Sequence, residues 1–356
     1  MFFPARADGL AVLPFMVKML VIVLALFVPP VCFATPGYVR PDKLIMLWDY
    51  IDKKGDNLRP GKRIAQTGLD VILPTWFAIG SGKGNVTSLA DKDYVKWAHD
   101  NGIKVWALFE NRSDNTITFR ALSDRNTRAK IIGQIAGFVR DYDLDGINID
   151  FESMRPETGK FFEQFIAEMY AELKPLGSTL SVDLPLPAGV IRGKFDIGLI
   201  ADNSDYIIGM GYDQYYSESR VIGPVAAIDW VKQGIEGALR YVPHEKFILG
   251  IPFYTRVWLE NRESGRLQIT SDLMGMKEAY EMFKKNSSIW QRDDDTKQIY
   301  AEFDRGDRTY KAWLEDEHSL SLKLDTINDY NLAGMCAWRS GWEWPEIWDM
   351  INTYFE

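Results

Sequence analysis

Cysteine and histidine are nearly absent: 356 residues contain two cysteines, Cys32 and Cys336, and three histidines, His99, His244 and His318. The histidines lie far apart, with no cysteine or second histidine at ligand spacing, so neither a metal centre nor a histidine-based nucleophilic triad is expected. Basic charge is also short. The formal net charge is −9, and an acidic surface argues against nucleic acid as a partner. No internal repeat or low-complexity segment appears, and no apolar run is long enough to span a membrane with ease. The longest, Met19 to Val28, follows Lys18 and precedes Pro29-Pro30 and the small-residue exit Cys32-Phe33-Ala34. That order reads as a secretory signal occupying residues 1–34, with Met16 a second possible start. It implies a secreted or cell-envelope protein, membrane-anchored if the signal is not cleaved. Signal removal leaves Cys336 alone, so no intramolecular disulfide is expected and stability must come from the core.

A composition 46% hydrophobic and 26% charged fits one large globular domain over residues 35–356. Short apolar runs begin near Leu44, Val71, Val105, Gly146, Leu180, Tyr206, Phe247 and Gly334, most of them separated by segments of helical periodicity. The clearest helices are Asp91 to Asn101, Thr127 to Tyr142, Thr158 to Leu176 and Asp229 to Tyr241. Eight strands alternating with helices predict an α/β fold, a (β/α)8 TIM barrel. The last interval is far longer than the others and must hold a small α+β insertion between strands seven and eight, at about residues 259–315. Within it Lys277 to Lys284 reads as a helix, and Gln298 to Phe303 with Thr309 to Leu314 as a hairpin turning at Asp304-Arg305-Gly306-Asp307.

Chemistry concentrates in Asp145-Gly146-Ile147-Asn148-Ile149-Asp150-Phe151-Glu152. As a strand, this run turns Asn148, Asp150 and Glu152 one way and Ile147, Ile149 and Phe151 the other. A parallel strand buried on both faces is ordinarily apolar on both, so a polar row with two carboxylates carries a desolvation cost that folding gives no reason to accept. Barrel enzymes place their sites at the C-terminal ends of the strands. The polar and aromatic residues closing the other runs are therefore candidates too: Trp76 after strand two, Glu110-Asn111 after strand three, Met210-Gly211-Tyr212-Asp213-Gln214 after strand six, Tyr254 and Arg256 after strand seven, and Trp338 at the end of strand eight.

The run resembles the D-G-x-[DN]-x-D-x-E signature of family 18 glycoside hydrolases, the chitinase-like enzymes, in which it forms strand four of a TIM barrel. The resemblance implies that Glu152 donates a proton to the glycosidic oxygen and that Asp150 holds the substrate's 2-acetamido group. Met210-Gly211-Tyr212-Asp213 is similar to the family's M-x-Y-D, implying that Tyr212 bonds the acetamido carbonyl and that Asp213 lies beside the acid. Trp338 would floor the subsite of the cleaved sugar, since an indole offers an apolar platform to a pyranose face. Gln214, Trp76, Asn148, Tyr254 and Arg256 complete the expected substrate contacts. Asn148 stands where many chitinases have a third Asp, removing one carboxylate from the row and altering how Asp150 is tuned.

Together with Pro74-Thr75-Trp76-Phe77, Pro252-Phe253-Tyr254-Thr255-Arg256 and Ala337-Trp338-Arg339-Ser340-Gly341, these motifs resemble the bacterial spore-germination and cortex-lytic N-acetylglucosaminidases. The resemblance spans nearly all of residues 35–356. It implies a retaining hydrolase acting after N-acetylglucosamine in peptidoglycan or chitin, without metal, organic cofactor or obligate protein partner. Proteins of that branch commonly carry LysM repeats; Thr35 to Arg40 is too short for an N-terminal wall-binding module. Two rival readings are a chitinase or chito-oligosaccharide hydrolase and a non-catalytic chitinase-like lectin. The lectin is disfavoured because such proteins lose the acid glutamate.

Overall fold

The computed structural model describes residues 43–53, 68–186, 194–263 and 265–355. The expected signal segment lies outside them. Among the described residues no helix is long and apolar enough to cross a membrane. The strands of the described residues are β1 (Leu44–Asp49), β2 (Val71–Ile79), β3 (Val86–Ser88), β4 (Lys104–Glu110), β5 (Gly146–Asp150), β6 (Thr179–Pro185), β7 (Tyr206–Met210), β8 (Phe247–Pro252), β9 (Tyr254–Asn261), β10 (Gln268–Gly275), β11 (Ile289–Arg292), β12 (Ile299–Arg305), β13 (Arg308–Leu314) and β14 (Gly334–Trp338). Eight of them pair in parallel in the order β1-β14-β8-β7-β6-β5-β4-β2, and a further β1–β2 pairing closes the ring. With helices between the strands this is a (β/α)8 barrel. Every barrel strand begins at, or one residue before, an apolar run identified in the sequence.

The barrel forms because its strands are buried and largely apolar: Ile207 and Ile208 fill opposite faces of β7, and Ile147, Ile149, Leu180 and Val182 fill one face of β5 and β6. Gly146 is required where β5 passes Trp106, since a Cβ there would lie 2.6 Å from the indole. Crossover helices include Lys92–Asp100, Arg125–Tyr142, Gly159–Leu173 and Ile228–Ala238. Asp91 and Asp124 cap the first two by accepting backbone N–H bonds. Four described helices were not named from periodicity: Asn115–Ser123, which is capped by Asp114, Ile197–Asp202, Glu317–Asp329 and Ile347–Phe355.

Strands β9 to β13 build a separate antiparallel sheet in the order β10-β9-β13-β12-β11. Its core is Val257, Ala279, Phe283, Ile299, Ala301, Phe303, Ala312 and Leu314, closed on one side by the helix Met276–Asn286. The sheet begins at Tyr254, earlier than the expected boundary near 259, because β9 follows β8 after Phe253 alone. At its exit Glu315 is fully buried against Lys323 at 3.0 Å and also accepts bonds from Gln298 and Ser319. Removing the cation would strand a buried carboxylate. Lys323→Met is expected to cost about 3–5 kcal/mol in chemical denaturation, with Glu315→Gln in the same chain recovering part of it. Equal stability of Lys323→Met and the parent would show that the pair is dispensable.

Candidate active site

At the C-terminal mouth of the barrel, β5 and β6 place four polar side chains against one another. Asn148 is fully buried and its amide is saturated: Trp48 Nε1 donates to Oδ1 at 3.1 Å, while Nδ2 donates to Ser181 Oγ at 3.0 Å and to Asp183 Oδ1 at 2.7 Å. The Asn148 amide is thus directed at Trp48, Ser181 and Asp183 inside the barrel. The row is not short of a carboxylate, because Asp183 on the adjacent strand supplies one. Asp150, the next residue of the row, keeps Oδ1 buried without a protein partner. Burial first, then the charges of Asp183, Glu152 and Glu110, push its carboxyl well above the ordinary range.

Glu152 follows β5 and is held through its backbone. Asn111, at the end of β4, accepts from Glu152 N at 3.0 Å and donates to Glu152 O at 2.8 Å, so one buried amide fixes the carrier of the carboxylate. Ser113 Oγ donates to Glu152 Oε2 at 3.1 Å. Burial raises the Glu152 carboxyl, the Ser113 bond opposes this, and Asp213 raises it further. Glu152 and Asp183 share a cavity of about 190 Å³ whose walls include Met210, Phe195 and Lys194.

After β7 the chain turns at Asp213, whose φ of 57° lies in the left-handed region that aspartate tolerates. Tyr212 packs edge-on between Trp48, at 6.3 Å, and Tyr254, at 6.0 Å. Burial carries its hydroxyl well above the usual tyrosine value, so it remains a proton-bearing donor. Tyr254 OH donates to Asp213 Oδ1 at 2.8 Å, and Arg256 approaches the same oxygen at 3.6 Å while donating to Ser271 at 3.0 Å.

Four of the expected substrate contacts also have partners within the protein. Tyr254 and Arg256 are buried, and both are directed at Asp213, so they brace an aspartate where sugar contacts were expected. Gln214 Oε1 accepts from Ala227 N at 2.9 Å, which ties the loop after β7. Trp76 is 2% exposed and packs on Tyr94 at 5.1 Å. The β2–β4 register shifts between Thr75 and Phe77, and a bulge there breaks the strict alternation of faces that the sequence reading assumed. Trp338 differs: it is half-buried at the end of β14 and touches Trp48 at 5.8 Å. The adjoining Arg339 lies between Trp342, at 4.0 Å, and Tyr50, at 4.6 Å.

Asp183, Ser181, Trp48 and Ser113 escaped the sequence reading, whereas Asn111 closes a run it had singled out. The signal for the first two was available, since Leu180-Ser181-Val182-Asp183 alternates polar and apolar residues as β5 does. Asp49, beside Trp48, was also missed; burial pushes its carboxyl up to about 6 although Tyr94 donates to it at 2.7 Å.

The chain is 22% identical over 303 residues to the uncharacterized glycosylase YvbX of Bacillus subtilis, covering 80% of this chain and 85% of that protein. It is 25% identical over 243 residues to the cortical fragment-lytic enzyme of the same organism, covering 66% of this chain and 55% of the relative. The chain thus spans about half the length of that relative. The solved structure of the spore cortex-lytic enzyme SleL from Bacillus megaterium QM B1551 aligns with a TM-score of 0.78 at 18% identity, over 89% of this chain and 75% of that one. Residues 46–341, from β1 to just past β14, match the family described as Glycosyl hydrolases family 18, and the chain belongs to that family.

Proposed function

We propose that this protein is a retaining glycoside hydrolase that cleaves β-1,4 bonds after N-acetylglucosamine in peptidoglycan, with the substrate's acetamide oxygen as nucleophile. The observation that carries this reading is the half-buried Asp150, two residues before Glu152, whose Oδ1 is buried and left unpartnered by protein. An acetamide N–H is a natural occupant for such an acceptor. Glu152, whose raised carboxyl keeps its proton to higher pH than an ordinary glutamate, protonates the leaving oxygen. Asp150 and Tyr212 orient the acetamide and stabilise the oxazolinium that forms at C1. The deprotonated Glu152 then activates the water that opens the ring, giving net retention. Asp213, braced by Tyr254 and Arg256, lies near the acid and helps to raise its carboxyl.

The likeness to a cortical fragment-lytic enzyme supports peptidoglycan over chitin. Purified peptidoglycan and chitin digested in parallel, with mass spectrometry of the new reducing ends, test it. Reducing-end N-acetylglucosamine from peptidoglycan is expected. New muramic-acid reducing ends, or digestion of chitin alone, contradict this reading.

Trp338→Ala is expected to weaken binding to chito-oligosaccharides while the melting temperature holds, because the half-buried indole is a platform. If the ring were mainly core, the same substitution would cost roughly 3 kcal/mol and leave the affinity of the folded fraction unchanged. Calorimetric titration and a thermal melt on one preparation separate the two.

A further inference from the structure

The catalytic row proposed above contains a carboxylate that does not come from its own strand. Asp183 is 4% exposed, yet it carries an ionisable group where a neutral acceptor would satisfy Asn148 at less desolvation cost. Its Oδ1 takes the shorter of the two Asn148 bonds, 2.7 Å against 3.0 Å to Ser181. Asn148 is one strand-face step from Asp150, and Asp183 itself lines the cavity that Glu152 enters. Two independent geometric links thus connect Asp183 to the reacting groups.

We propose that Asp183 is a positioning residue for the reaction, standing in for a carboxylate at Asn148: it orients the Asn148 amide and supplies the negative charge against which Asp150 holds its proton. This inference rests on the hydrolase reading above. The titratable groups acting on Asp183, or acted on by it, are Asp150 and Glu152 beyond β5, Tyr212 after β7 and Cys336 on β14, with Lys194 in the cavity wall. Tyr212 and Cys336 are pushed up by burial and stay neutral in the working range. The further acids acting on the pair are therefore Glu152, just past β5, and Glu110 on β4. Asp150 and Asp183 form a pair that retains one proton to higher pH than either would alone. Neutralising Asp183 takes a negative charge away from Asp150, which then ionises at lower pH.

The test compares Asp183→Asn, Asn148→Asp/Asp183→Asn and the parent on a chromogenic N,N′-diacetylchitobioside across pH. Asp183→Asn is expected to lower kcat roughly tenfold or more and to shift the kcat/KM profile about one pH unit to the acid side. The double variant, which moves the carboxylate onto β5, is expected to return the profile toward that of the parent. The position of a pH profile does not depend on how much protein folds, so poor yield leaves the reading intact. An unmoved profile in Asp183→Asn, with or without a lowered melting temperature, overturns the assignment and leaves a purely structural network. A double variant that stays with the single one overturns it as well. A parent inactive on every glycan tested would instead defeat the hydrolase reading, which separates the two failures.

Discussion

Glu152→Gln is expected to lower turnover at least about 10²-fold while glycan binding is largely kept. The side chain is held from both ends, and the substitution disturbs neither hold. Asn111 grips the backbone of residue 152 through two bonds that do not involve the side chain, and the Ser113 hydroxyl can donate to an amide oxygen as it does to Glu152 Oε2. What vanishes is the transferable proton. The sign of the pH dependence follows from the same group: its carboxyl is raised by burial and by Asp213. The acid form therefore persists above the ordinary glutamate range, and activity is lost as pH rises through that raised value. Turnover of a chromogenic substrate and calorimetric binding of a chito-oligosaccharide, measured on both proteins, provide the check. Equal turnover would remove Glu152 as the acid.

The barrel was legible because its strands are continuous apolar runs and its helices carry the longer period, so the two signals alternate cleanly from Leu44 to Trp338. The row on β5 was legible for the opposite reason: polar residues interrupt a run that should have none. What stayed hidden depends on lateral neighbours. Whether Tyr254 faces sugar or Asp213 is decided by the geometry between β9 and the loop after β7, and no spacing within either segment encodes it. The bulge at Thr75–Phe77 was equally hidden around Trp76, since one extra residue reverses the face on which a side chain emerges. Asp183 shows a different limit. The partner of Asn148 lies 35 residues away, and only the register of β5 with β6, which sets Asn148 opposite Ser181, makes them neighbours.

Glycans bearing glucosamine at the cleaved position are expected to resist hydrolysis, because the proposed nucleophile belongs to the substrate and disappears with its acetyl group. The structure offers no comparable substitute among the described carboxylates near Glu152. Asp183 is bonded to Asn148, and Asp213 is held by Tyr254 with Arg256 close by. Glu110 faces Arg112 at 3.9 Å. Asp150 lies nearest along the row, but burial and three neighbouring acids keep it protonated beyond the usual range, which makes it a poor attacking group. An acetamide clamped by Asp150 and Tyr212 meets the need without a second ionised carboxylate. An oxazoline mimic should accordingly bind at least about 10²-fold tighter than an uncleaved oligosaccharide, since it resembles the charged intermediate and not the ground state. The measurement is a digest of matched N-acetylated and de-N-acetylated peptidoglycan, with chitosan as a second pair to chitin, followed by mass spectrometry of both the glycan products and the intact protein. Efficient cutting at glucosamine, or a covalent glycosyl ester trapped on any Asp or Glu, would show that the nucleophile is a protein carboxylate and that the role given to Asp150 is wrong.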